Sequence, residues 1–256
     1  MKKMLVFVLA LCVVMQGTML SGMNVFADTP DYTNGDLTYS INPDTDGSAK
    51  TAAVTGYKDR AAAMAASHTV TIPRMVTLDE NGVYDPQGTA YTITGIGAEA
   101  FGHLTSADRN ITLTKVSIPD SVTAIGDAAF GYCGQITGLT TVSIVSENGE
   151  TDDNRILPPH LTTLGTKAFK SCEILESNEV VIPGSLKVVP DEAFYSDFRI
   201  SKIKIEEGVE RLQNQSFFYV GYNNTTPWTL EIPSTVNYMN VSNFGRMKSA
   251  SKAVFN

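Results

Sequence analysis

The sequence predicts a repeat solenoid, mainly β with short helical or 3-10 segments, and three observations carry that expectation. The stretch Leu113–Cys133, LTKVSIPDSVTAIGDAAFGYC, recurs in five variant copies along the chain. Each copy places a phenylalanine in the same slot, at 101, 130, 169, 194, 217 and 244, with steps of 29, 39, 25, 23 and 27 residues. A base period in the low twenties, lengthened by insertions, is how stacked repeats look in sequence. Within the unit, Val116 and Ile118 alternate with Lys115 and Ser117 as a half-buried strand does. Pro119, which has no N–H to donate, ends that strand. Val122 and Ile125 then turn back inside, Gly126 makes a tight turn, and Ala128, Ala129 and Phe130 suggest a short helical or 3-10 segment on the far side. One unit alone cannot bury these apolar residues; stacked units bury them as continuous ladders.

In chain order, the first residues read as a targeting signal rather than as part of the fold. Lys2 and Lys3 precede an unbroken apolar run, Met4 to Val14, and Val25-Phe26-Ala27 offers a cleavage site after Ala27. The run is shorter than the roughly 20 residues of a spanning helix, and Leu11 is too bulky before Cys12 for a lipoprotein signal. Residues 28–35 are expected to be a loose leader. Residues 36–110 read as an irregular first repeat that opens with a β-hairpin: Leu37, Tyr39 and Ile41 share one face, NPDTDGS at 42–48 is turn chemistry, and Ala52–Tyr57 returns. Asp59–Ala66 is either a short helix capped by Asp59 or a crossover loop. Val70–Pro73 begins the repeat ladder, with an inserted hairpin or loop at 79–88. Residues 111–245 hold the regular repeats, interrupted by SENGETDDNR at 146–155, expected to protrude as an acidic loop, and by YVGYNNTTPW at 219–228. Residues 246–256 read as a terminal strand; Ala253–Phe255 either caps the array or marks where a short array stops.

The 256-residue chain carries 19 basic and 27 acidic residues, a net charge of −8. Removing Lys2 and Lys3 with the signal leaves 17 against 27, a net of −10. That balance argues against nucleic acid and anionic lipid as partners. After signal cleavage no membrane insertion is expected, and only Cys133 and Cys172 remain, too few for a disulfide-built scaffold. Both sit three residues after a repeat phenylalanine, so they are either a disulfide across neighbouring coils or two buried thiols acting as small apolar groups.

The motifs L-x-x-V-x-I-P, V-x-x-I-G and A-F-x-x-C resemble the BspA-type leucine-rich repeats, also called the Treponema pallidum type. Leu113, Val116 and Ile118 fit the strand consensus, and Ile125, Gly126, Ala129, Phe130 and Cys133 fit the segment after it. The opening Leu37-Thr-Tyr-Ser-Ile41 followed by AVTGY, VTIP and YTITGIGAEAF resembles the family's usual first repeat. The likeness covers about residues 36–256 and implies a right-handed superhelix or horseshoe. Departures are Glu206-Glu207 in place of Ile-Pro, Ser216 in place of the alanine before phenylalanine, and Asp197 in the cysteine slot.

Chemistry is hard to find in this sequence. His68, His103 and His160 occupy non-equivalent slots without metal-ligand spacing. There is no G-x-S-x-G elbow, P-loop or dinucleotide fingerprint, and ENGETDD misses the calcium-loop spacing. Asn110, Asn214, Asn223, Asn224 and Asn240 begin N-x-S/T triplets that read as accidental. No enzyme, cofactor or metal is expected. What remains is surface. The outward strand positions Lys115, Ser117, Thr141, Ser143, Lys202, Lys204 and Glu231, with Glu179, Val181 and Thr229, form either one extended binding face or an ordinary solvated sheet. Tyr219, Tyr222 and Trp228 make the best aromatic cluster. The resemblance implies an exported, adhesin-like module that binds a host or microbial surface protein, matrix protein or glycan. The alternatives are a structural envelope component that self-associates, or an accessory to a secreted carbohydrate- or peptide-active enzyme.

Overall fold

The computed structural model describes residues 31–42, 49–103, 112–133, 139–172, 179–197, 199–200, 202–222, 228–247 and 250–255. The signal segment and its cleavage site, the turn residues 43–48, and Asn110, Asn223 and Asn224 lie outside them. The chain coils, and each coil contributes a strand, a shorter strand on a second flank, and a turn segment that carries the repeat phenylalanine.

The strand flank begins with Asp31–Tyr32, His68–Thr71, Leu113–Pro119 and Thr141–Val145, paired in parallel, and Thr151–Asp152 adds to its edge antiparallel. A separate four-stranded sheet follows: Glu179–Ile182, Lys202–Ile205, Trp228–Ile232 and Ala250–Phe255. The last of these is the terminal strand expected from sequence. On the second flank the hairpin Leu37–Ile41 with Thr51–Tyr57 closes the N-terminal end, leading through Thr89–Ile96 and Ala124–Ile125 to Thr163–Leu164. Met75–Leu78 folds antiparallel onto Thr89–Ile96, so 79–88 is the end of a hairpin. Residues 31–36 are not loose. Asp31 pairs with the otherwise open edge of His68–Thr71 and accepts hydrogen bonds from the Thr69 and Thr71 hydroxyls, and Asn34–Asp36 makes a 3-10 turn.

The turn segments are not helical, although AEAF, DAAF and DEAF have high helix propensity. Their N–H groups are divided between two destinations. The residue before Phe130, the one after it and Cys133 bond three residues back within the coil: Ala129 to Gly126, Gly131 to Ala128, Cys133 to Phe130. The alternate residues reach the following coil: Ala128 to Thr166, Phe130 to Ala168, Tyr132 to Lys170. This split requires left-handed backbone two residues either side of the phenylalanine. All ten non-glycine residues of positive φ among the described residues occupy those two slots, from Glu99 and Ala128 to Tyr219 and Arg246. Each costs on the order of 1 kcal/mol, offset by inter-coil hydrogen bonds that a helix would forgo.

The core is a set of ladders. Phe101, Phe130, Phe169, Phe194, Phe217 and Phe244 stack with centroids 5.1 to 5.7 Å apart and planes within 17°. Tyr57 closes the stack edge-on, 5.2 Å from Phe101, with its hydroxyl 2.7 Å from His68 Nε2. His68 Nδ1 lies 3.1 Å from the Ala66 carbonyl, which only accepts, so Nδ1 carries the proton and Nε2 accepts from Tyr57. The N-terminal end of the turn ladder is closed by Arg60, the first residue of the helix Arg60–Ala63, whose Asp59 cap accepts from the Ala62 N–H as the composition of 59–66 suggests. Its guanidinium donates to the carbonyls of Glu99, Ala100 and Gly102. In every later coil the carbonyls equivalent to Ala100 and Gly102 take an N–H from the coil before.

Candidate binding surface

Parallel pairing sets the outward strand residues in register. Lys115 lies beside Thr141 and Ser117 beside Ser143; beyond them Glu179 lies beside Lys202, Val181 beside Lys204, and Lys204 beside Glu231. The sequence-predicted row therefore exists, but it is neither uniform nor continuous. Ser143 is fully buried and donates its hydroxyl proton to the Asp153 carboxylate. The acidic insertion does not protrude. It doubles back as a hairpin, lays Thr151–Asp152 along Thr141–Val145, and covers Ser143. Val181 is buried too, 7% exposed. Their outward assignment is corrected on both counts.

Two patches are left. The N-terminal one is hydroxyl-rich, with Thr69, Thr71, Lys115, Ser117 and Thr141 half-buried. The C-terminal one is charged, with Lys202 and Lys204 exposed and Glu179 and Glu231 half-buried. Lys202 Nζ lies 2.8 Å from Glu179 Oε1, and this hydrogen bond, aided by the Glu231 charge, holds the lysine above its usual pKa. Lys204 makes no ion pair among the described residues and is the more available of this patch's two lysines.

Tyr222 is elsewhere, on the turn side, packed edge-on against Tyr219 at 5.3 Å. Trp228 begins the strand Trp228–Ile232, and its side chain lies outside what the structure describes. The turn side does carry an aromatic column that sequence reasoning missed. Lys170 sits 4.4 Å over the Tyr195 ring, Tyr195 stacks on Phe218 at 5.4 Å, and Phe218 lies against Gly245, where an added Cβ would come within 2.3 Å of the ring. Lys170 also pairs with Glu192. The faces of these rings are taken by one another, so the column stacks coils together and offers no open platform. Its signal was available in sequence: the residue after each repeat phenylalanine runs Gly102, Gly131, Lys170, Tyr195, Phe218, Gly245.

The other polar groups are structural. Cys133 and Cys172 are separate buried thiols that donate to the Phe101 and Phe130 carbonyls, and burial pushes both up in pKa, away from the reactive thiolate. His68 is a core residue, His103 lies 3.5 Å from Glu99, and His160 is exposed. Among the described residues no group of three or more His, Cys, Asp or Glu is gathered to hold a metal ion, and no helix is long and apolar enough to cross a membrane.

Comparison with known proteins agrees with this architecture. No curated protein sequence matches the chain. A leucine-rich cell surface protein from Faecalibacterium prausnitzii is similar in structure, with a TM-score of 0.51 at 22% identity, over 88% of this chain and 54% of that one. The pneumococcal vaccine antigen PcpA gives a TM-score of 0.57 at 17% identity, over 88% and 49%. The chain thus spans about half the length of both, and at these identities the likeness is one of fold. The model of the BspA type leucine-rich repeat region matches residues 94–152 and 153–256 in six copies. With that match over more than half its length, and the repeat ladders described above, this chain belongs to the BspA-type leucine-rich repeat family.

Proposed function

We propose that the chain is an exported, surface-displayed binding module that engages a protein or glycan through its strand face and performs no chemistry of its own. The observation that supports this most is the register of the outward strand residues. Parallel pairing of Glu179–Ile182, Lys202–Ile205 and Trp228–Ile232 sets Lys202 beside Glu179 and Lys204 beside Glu231 on neighbouring strands. Repeat folds use such extended faces to bind. The basic and apolar N-terminal segment supports export, and the cell-surface description of the Faecalibacterium protein is consistent with display. The absence of a nucleophile–base pair in the sequence and the inert state of the two thiols favour binding over catalysis.

The test is binding of purified residues 28–256 to arrays of matrix proteins, mucins and glycans. Saturable binding to one class, weakened at least tenfold by Lys202→Ala/Lys204→Ala without a change in melting temperature, is the expected result. Binding that the double variant leaves untouched would remove the strand face from the proposal. Silence across the array from folded, monomeric protein would count against the binding function itself.

A further inference from the structure

The boundary between the coil of Phe169 and the coil of Phe194 differs from every other. Strand pairing lapses there on both flanks, although the Ser185 hydroxyl still donates to the Leu161 carbonyl at 2.7 Å. On the first, the inserted hairpin replaces a parallel rung, and among the described residues a single bridge, Arg155 to Glu179, connects the two sheets. On the second, Thr163–Leu164 ends one sheet and Val188–Val189 begins another. One residue removes a crossing bond at the second break. In the neighbouring coils the N–H after the short strand crosses to the coil before: Gly126 to Ile96, Gly165 to Ile125, Gln213 to Val189. That slot holds Pro190, which has no N–H. A cleft of about 280 Å3 marks the break, lined by Leu164, Leu186, Val188 and Pro190 among others.

The turn side holds across the same boundary. Lys167, Phe169 and Ser171 donate to Asp191, Ala193 and Tyr195, and the two phenylalanine rings stack at 5.6 Å. One further contact, where the turn side passes into the first strand flank between Ser196 and Lys202, is unusual. Asp197 stands in the slot that holds Cys133 and Cys172 in the earlier coils. It is fully buried, its Oδ1 accepts from the Cys172 N–H at 2.8 Å, and its Oδ2 has no hydrogen-bond partner. The titratable groups facing it are the Cys172 thiol and, one coil further, the Cys133 thiol. The ion pairs Lys170–Glu192 and Arg155–Glu206 cross the boundary nearer the surface.

We propose that this boundary is a hinge, intact along the turn side and open to parting along both strand flanks, and that the Asp197 carboxyl is its proton-sensitive latch. Closed, the site excludes water from a carboxyl that nothing neutralises, so it holds the protonated form; burial raises its pKa well above the usual value. Opened, the carboxyl meets water and ionises with an ordinary carboxylate pKa. The closed form therefore binds one more proton in the window between the ordinary value and the raised one. Rising pH through that window favours opening, by up to about tenfold per pH unit for one proton. The blocks 31–172 and 179–255 then move as two bodies, which changes the angle between the hydroxyl-rich and charged patches.

Hydrogen exchange on the purified chain between pH 5 and 9, corrected for intrinsic rates, tests this. The expected result is that amides of 179–232 open as a unit separate from those of 51–172, with an opening constant that grows with pH. Asp197→Asn flattens the pH dependence, and Asp197→Cys, which restores the slot residue, does the same if the asparagine variant folds poorly. Pro190→Ala supplies the missing N–H where a Cβ is already accommodated, and slows opening at every pH. A single opening constant across all coils, or a pH dependence unchanged in both Asp197 variants, overturns the proposal.

Discussion

The Asn243 amide donates to the Ser216 hydroxyl, 3.0 Å away, in the slot before the repeat phenylalanine that holds alanine in the four preceding coils. Ser216 alone looks like a defect in the repeat, a buried hydroxyl in an alanine site. Asn243, one coil later in the same slot, answers it and also donates to the carbonyls of Leu212 and Gln213. The two departures are one feature. Ser216→Ala removes one of three acceptors shared by the two Asn243 amide hydrogens and is expected to cost about 0.5–1.5 kcal/mol. A double-mutant cycle with Asn243→Ala should return a coupling of about 0.5–3 kcal/mol, measured by urea unfolding. Additive losses would separate the two residues.

Phe130 is fully buried between Phe101 and Phe169. Its replacement by alanine removes two stacked contacts and opens a cavity in the middle of the ladder, at a cost of about 3–5 kcal/mol. Calorimetry should show the melting temperature fall by many degrees. An unmoved transition would contradict the stacking.

His68 carries a pH prediction of opposite sign to that of Asp197. Burial lowers its pKa, and the neutral ring is fixed between Ala66 and Tyr57. The folded state therefore resists protonation that the unfolded chain accepts near the usual histidine value. Its stabilising contribution is complete above that value and is lost as pH falls below it. Exchange at Thr69–Thr71 should accelerate from pH 7 to 5, and His68→Gln should flatten that slope while weakening the cap at every pH.

Gly165 is required by close approach between coils, not by backbone conformation. A Cβ there would stand 2.3 Å from the Asp127 nitrogen, and at Gly126 2.5 Å from the Ala98 nitrogen. Gly165→Ala is expected to cost more than about 2 kcal/mol by forcing two backbones apart, with exchange rising first at Ile125 and Leu164. A neutral substitution would mean that the coils are not held at backbone contact.

Much of this fold was legible because a stacked repeat writes its core into the sequence many times. The phenylalanine slot, the strand alternation, the opening hairpin and the Asp59 cap all follow from local pattern. The turn segments were misread as helical because alanine and glutamate favour helix, while the deciding hydrogen bonds run to another coil and leave no local trace. The insertion at 146–155 is exposed along 147–154, as its polarity suggests, but its docking onto Ser143 depends on a strand edge that only the folded stack supplies. Of the predicted face, Lys202, Lys204 and Glu231 stand together, whereas Tyr222 belongs to the turn side. Pro190 was readable in principle, as the residue without an N–H in a slot whose N–H carries the ladder.

Arg60 permits a fifth test. Arg60→Met keeps the aliphatic stem but strips the donors from Glu99, Ala100 and Gly102, and should cost about 1–3 kcal/mol. Urea midpoints compared with those of Arg60→Lys, which restores a single donor nitrogen, measure the cap directly. Equal midpoints for wild type and Arg60→Met would mean that solvent satisfies these carbonyls.

The guanidinium of Arg60 also gives the stack a direction. Three carbonyls at the first coil accept from a side chain that has no counterpart in the repeat unit, so a coil duplicated ahead of Phe101 would separate the cap from the groups it serves. A coil duplicated after it, at a boundary where the strand pairing runs through, meets the same backbone pattern on both sides and fits without a new partner. A chain lengthened or shortened by whole coils therefore keeps its cap when the change lies downstream of the first phenylalanine, with the opening hairpin, helix and Arg60 left together as one starting block.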